Sequence, residues 1–142
     1  MASYLITGAS RGIGLELTKQ LLALPASQVG KVVTLTRSKP SGSLQDLISQ
    51  HKDRVSSVTA AFDSQDSLAQ AAGDVKSSLG GRGLDVLVNN AGMSAFNMEG
   101  TRTMPDKTLT ELLDVNVTAV HRVIVAFLPL LEAGEQKKVI NV

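Results

Sequence analysis

The stretch Thr7-Gly8-Ala9-Ser10-Arg11-Gly12-Ile13-Gly14 constrains this chain more than any other. It follows a short apolar run, Tyr4-Leu5-Ile6, and opens a segment in which Ile13, Leu17 and Leu21 recur at helical spacing. A strand that turns through glycines into a helix makes an anion cradle. The first-turn N–H groups lack internal partners, and the helix dipole places partial positive charge there. Gly8 is expected to allow the sharp turn, Gly12 to let the main chain approach a pyrophosphate, and Gly14 to let the helix pack closely on the strand. The spacing is G-x-x-x-G-x-G, a variant of the general G-x-G-x-x-G fingerprint. A plain tight turn is the simpler alternative, and the position between strand and helix favours the cradle.

Beyond it, strand and helix patterns alternate. Strand 1 is read over Ser3 to Thr7 and the first helix over Gly12 to Leu24, stopped by Pro25. Lys31 to Thr36 is β-branched and apolar on both faces, as a buried parallel strand is. A polar loop, Arg37 to Gly42, leads to a short helix from Ser43 to His51. Strand 3 is expected from Val55 to Phe62, ending at Asp63, and a helix from Ser67 to Leu79. Gly80, Gly81 and Gly83 permit the return into strand 4, Leu84 to Val88, which delivers Asn89-Asn90-Ala91-Gly92 at its carboxyl end. After a loop from Met93 to Lys107, Thr108 and Glu111 have the spacing of a capping box for a helix to Leu131. Leu109, Leu112, Val115 or Asn116, Val120, Val123 and Phe127 follow one apolar side of it, and Pro129 should kink or shorten its end. Lys138 to Val142 starts a fifth strand.

Such alternation implies right-handed βαβ units, hence an α/β, Rossmann-like doubly wound parallel sheet in the order 3-2-1-4-5, here one domain over residues 1–142. A ligand belongs at the carboxyl ends of strands 1 and 4, where the order reverses. The glycine turn and Asn89 to Gly92 both fall there, and that convergence outweighs either motif alone.

Composition narrows the function. A formal charge of +1 gives no general attraction to nucleic acid or membrane. With no cysteine and only His51 and His121, thiolate chemistry is excluded and no metal site is expected. No apolar run reads as long enough to cross a bilayer, and no signal peptide precedes strand 1, so a cytoplasmic protein is expected.

Thr7-Gly8-x-x-x-Gly12-x-Gly14, then Asn89-Asn90-Ala91-Gly92, then Asn116 within Asp114-Val115-Asn116-Val117, resemble the N-terminal portion of the short-chain dehydrogenase/reductase family; the opening is also similar to its small carbonyl reductases. The resemblance implies that Gly8, Ser10, Arg11, Gly12, Ile13 and Gly14 hold the diphosphate and adenine ribose of a nicotinamide dinucleotide. It further implies that Asp63 accepts from the adenine amino group, a role compatible with its other reading as the cap of the helix from Ser64 onward, and that Asn90, Ala91 and Gly92 line the ribose side. Asn89 is read as a brace for strand 4. Asn116 would bend its helix and hold a water of the proton relay, the one catalytic role assigned within these residues. A small carbonyl or alcohol would be the substrate of the complete protein, with a homo-oligomer as a further expectation.

The cofactor type has its own argument. NAD calls for a carboxylate near the end of strand 2 to bind the ribose hydroxyls. This chain has Thr36-Arg37-Ser38-Lys39 there. A guanidinium binds a 2′-phosphate with two hydrogen bonds, and Arg11 can add a second positive group, so NADP is favoured over NAD. The family's chemistry also requires a serine and a Tyr-x-x-x-Lys spacing. The only tyrosine is Tyr4, with no lysine four residues on, so these residues form a cofactor cradle without the catalytic centre. A non-catalytic dinucleotide-binding fragment that pairs with a complete homologue is the alternative reading.

Overall fold

The computed structural model describes residues 1–95 and 101–142. Its strands are β1 (Ala2–Thr7), β2 (Val29–Thr36), β3 (Val55–Thr59), β4 (Val86–Asn89) and β5 (Lys138–Asn141). They form one parallel sheet in the order β3-β2-β1-β4-β5, as expected. The helices are α1 (Gly12–Ala23), α2 (Gly42–Gln50), α3 (Gln65–Ser78), α4 (Asp106–Leu113) and α5 (Ala119–Glu132). A π-helical turn, Asp114–Thr118, joins the last two.

Successive strand residues point to opposite faces, so each strand feeds two cores. Leu5 joins Val33, Leu87, Val75 and Phe127 on the side of α3 and α5. Its neighbour Ile6 joins Leu22, Val32, Leu47 and Val88 on the side of α1 and α2. Full burial of one such side chain is worth about 1.5–3 kcal/mol, so this two-sided packing holds the helices more than local propensity does. At the far end of the sheet Arg54 fastens α1, its guanidinium donating to the carbonyls of Leu22, Leu24 and Val29 at 2.8, 2.8 and 3.0 Å.

Several expected boundaries move, each for a local reason. β2 starts at Val29 because Ala2 pairs with Val29 and Ser3 with Lys31, across a bulge. β3 stops at Thr59, and Phe62 turns in to pack on the core beside α3. The cap of α3 is Ser64, not Asp63: the Ser64 hydroxyl accepts from the Ser67 N–H at 3.2 Å. The expected capping box is absent, because the helix begins at Asp106 behind Pro105 and Thr108 lies inside it. Nor does Pro129 shorten the helix, since α5 runs through it to Glu132. The apolar side of this helix is buried only from Ala119 onward, while Leu109, Leu113 and Val117 are half exposed or more. The stretch of the expected loop from 96 to 100 lies outside the described residues.

One expectation about membranes is corrected. By length and composition alone, Asp106–Glu132 is apolar enough to cross a bilayer. Its second half is nevertheless a core helix of the sheet, with Val123, Phe127 and Leu131 packed among strand residues.

Candidate functional site

A cleft of about 860 Å³ opens beyond the carboxyl ends of β1, β2 and β4. Its size lies within the range of cofactor sites. From the β1–α1 turn, Gly8, Ser10, Arg11, Gly12 and Ile13 line it. Arg37 enters from the end of β2, Asp63 from the segment after β3, and Asn90, Ala91 and Gly92 from the end of β4. The order of the sheet thus brings four separated pieces of sequence together.

The two motifs at its floor are bonded to each other. The Thr7 hydroxyl oxygen accepts from the main-chain N–H groups of Asn90 and Ala91, at 3.0 and 2.9 Å. In return, Asn90 Nδ2 lies 3.1 Å from the carbonyl oxygens of both Thr7 and Gly8. Thr7 is 2% exposed. A hydroxyl buried at the end of an apolar strand must find partners, and that was the available signal for its role.

Each glycine meets a different requirement. Gly8 has φ +68°, and a Cβ there would lie 2.7 Å from Ala91 Cα. Gly14 does not line the cleft; a Cβ there would press on the Gly8 carbonyl oxygen at 2.7 Å and on Asn90 Nδ2 at 2.5 Å. At Gly12, with φ +58°, a Cβ would project into open space. Gly12 itself lines the cleft, and no side chain caps the start of α1. First-turn N–H groups therefore keep their bonding capacity for an anionic ligand, and a nicotinamide dinucleotide fits this cradle.

Asn89 behaves as the brace expected of it. It pairs with Asn141 in register, and its Nδ2 donates to Asn141 Oδ1 at 2.9 Å, tying β4 to β5. Asn116 stands outside the cleft lining, within the π-helical turn. Its Oδ1 accepts from the Met93 N–H at 2.9 Å and its Nδ2 donates to the Met93 carbonyl at 2.8 Å. Both ends of the amide are engaged, which fixes the main chain just after Gly92.

Asp114, Phe62 and Met93 also line the cleft and were not singled out from sequence. Asp114 Oδ1 accepts from Arg122 Nη2 at 2.9 Å, a bridge that spans the π-helical turn. This bond is the main reason Arg122 holds its proton more tightly than a free arginine, with the charges of Asp114 and Asp63 adding to it against some desolvation.

The sequence profile of the short chain dehydrogenase family matches residues 3–142. A short-chain dehydrogenase/reductase of Arthrinium sp. is 37% identical over all of this chain and 54% of its own length. Among solved structures, an NADPH-bound carbonyl reductase from chicken fatty liver superposes with a TM-score of 0.81 at 34% identity, covering 94% of this chain and 52% of that one. The carbonyl reductase Sniffer of D. melanogaster gives 0.84 at 30% identity, covering 94% and 53%. The chain belongs to the short-chain dehydrogenase family. It spans about half the length of the curated relatives it matches.

Proposed function

We propose that residues 1–142 form the dinucleotide-binding domain of an NADP(H)-dependent oxidoreductase acting on a carbonyl or the corresponding alcohol. The observation that carries the cofactor type is the placement of Arg11 and Arg37 on one cleft, with no carboxylate in Thr36 to Lys39. A 2′-phosphate brings two negative charges that a guanidinium meets and a carboxylate repels. The chicken carbonyl reductase, solved with NADPH, supports the same choice.

In this reading the main chain at Gly12 and the start of α1 bind the diphosphate, with Ser10 and Ile13 alongside. Asp63 accepts from the adenine amino group, and Asn90, Ala91 and Gly92 border the ribose next to the nicotinamide. NADPH, when bound, supplies the hydride. Asn116 positions Met93; a relay water would have to be held by another atom of that turn or displace Met93. A homo-oligomer is supported by the exposed apolar residues Leu109, Leu113 and Val117.

The second reading, a binder without turnover, rests on Tyr4. It is the only tyrosine and stands in β1, paired in register with Val86. No Tyr-x-x-x-Lys exists among the 142 residues. The test is fluorescence titration of the chain with NADPH and NADH, together with an assay for carbonyl-dependent NADPH oxidation. Saturable binding that prefers NADPH supports the cofactor assignment. Turnover by these residues alone would contradict the binding-only reading.

A further inference from the structure

Arg37 is exposed and lies in a loop, so what makes it a specificity element requires explanation. Closing a loop arginine on a phosphate orders both its rotamers and the main chain that carries it, and a main chain fixed beforehand removes the second part of that cost. The residue before it provides the fixing group. Thr36 ends β2, is 1% exposed and lines the same cleft. Its main-chain carbonyl accepts from the Ala60 N–H at 3.0 Å, holding it to the segment after β3. Its Oγ1 donates to the Ser38 carbonyl at 2.8 Å, reaching across Arg37 to the residue beyond.

We infer that Thr36 sets the cofactor preference of the cleft by closing the chain around Arg37, so that the guanidinium stays turned toward the 2′-phosphate position. Thr36 is a positioning residue and touches no phosphate itself. The inference rests on the NADP(H) reading above and adds to it a residue that neither the glycine turn nor the basic loop contains.

The strand does not need the hydroxyl. Valine has nearly the same shape and suits a buried β position, and the Ser38 carbonyl released by Thr36→Val belongs to an exposed residue that water can reach. The variant therefore keeps its fold, and its effect falls on the turn.

The experiment measures the Kd of NADPH and of NADH for the 142-residue chain, Thr36→Val, Thr36→Ser and Arg37→Ala by nucleotide fluorescence. Thr36→Val should weaken NADPH about fivefold, the worth of one ordering hydrogen bond, and leave NADH unchanged. Thr36→Ser should keep the parental ratio. If Thr36→Val weakens both nucleotides equally, or changes neither while Arg37→Ala lowers the ratio, the inference is overturned and the cofactor reading stands. If Arg37→Ala itself leaves the ratio unchanged, the reading fails and the inference falls with it.

Discussion

Thr7 and Asn90 are bonded in both directions: the Thr7 hydroxyl oxygen accepts from the Asn90 main-chain N–H at 3.0 Å, and Asn90 Nδ2 lies 3.1 Å from the Thr7 carbonyl oxygen. Because Ala91 N–H also bonds the hydroxyl, one side chain fixes the tip of β1 against the tip of β4. Thr7→Val leaves two N–H groups without an acceptor and should cost about 2 kcal/mol or more in a urea melt. Thr7→Ser keeps the oxygen and should recover most of that. An equal loss in both variants would show that the hydroxyl does not hold β1 to β4.

The glycines should separate into two kinds. Gly14→Ala drives a Cβ against the Gly8 carbonyl and Asn90, and an overpacked junction of this sort costs about 1–3 kcal/mol. Gly12→Ala meets no protein atom and pays only for its left-handed backbone, about 1 kcal/mol, yet it adds a methyl to a residue that lines the cleft. Thermal melts should thus rank Gly14→Ala as less stable, while Gly12→Ala loses nucleotide binding although still folded. Undiminished NADPH binding by Gly12→Ala would show that the dinucleotide lies elsewhere.

The parts of this fold that were legible in sequence are those set by apolar pattern. Strand runs such as Lys31 to Thr36 and the helical spacing of Leu68 to Leu79 place the elements, and alternation sets the order of the sheet. What was not legible depends on tertiary partners. Gly30 joins β2 only because β1 lies alongside, and Thr108 resembles a cap only if Pro105 is ignored. The π-helical turn has no periodic signature in the sequence, since it adds one residue to a helix whose later half docks on the core. In the site, the glycines and Asn90 to Gly92 announce themselves by residue type. The bridge from Asp114 to Arg122, eight residues on, follows from the π-helical turn and has no signal in the sequence.

Acid should expose a second lock, away from the cleft. Asp85 is 7% exposed; its Oδ2 accepts from the Ser3 N–H at 2.8 Å and its Oδ1 from the Glu135 N–H at 2.8 Å. Burial alone would raise its pKa, but the hydrogen bonds from Ser3, Glu135 and Gln136 more than reverse this and hold it below the usual aspartate value of 3.8. A depressed folded pKa means that its stabilisation is fully present above the unfolded pKa and is lost as pH falls through the folded one. Unfolding free energy should therefore drop below about pH 4, the ordinary carboxylate range. In Asp85→Asn that share of the acid slope should vanish, with a loss of about 2 kcal/mol at neutral pH. An unchanged acid slope would contradict the role given to this carboxylate.

Asn116 holds the chain after Gly92 through both ends of its amide. Asn116→Ala should speed hydrogen exchange at the Met93 N–H about fivefold or more, with no matching change in β4. If exchange at Met93 is unaltered, another group orders that segment.

In the proposed function, the cleft at the tips of β1 and β4 grips a phosphorylated dinucleotide through main-chain N–H groups and two arginines. Titration of the 142-residue chain with NADPH and NADH, repeated on Arg37→Asp, tests it most directly. Saturable binding is expected, with NADPH preferred about tenfold and that preference lost or inverted in Arg37→Asp. No saturable binding up to millimolar nucleotide, or a preference indifferent to the charge at position 37, would contradict it.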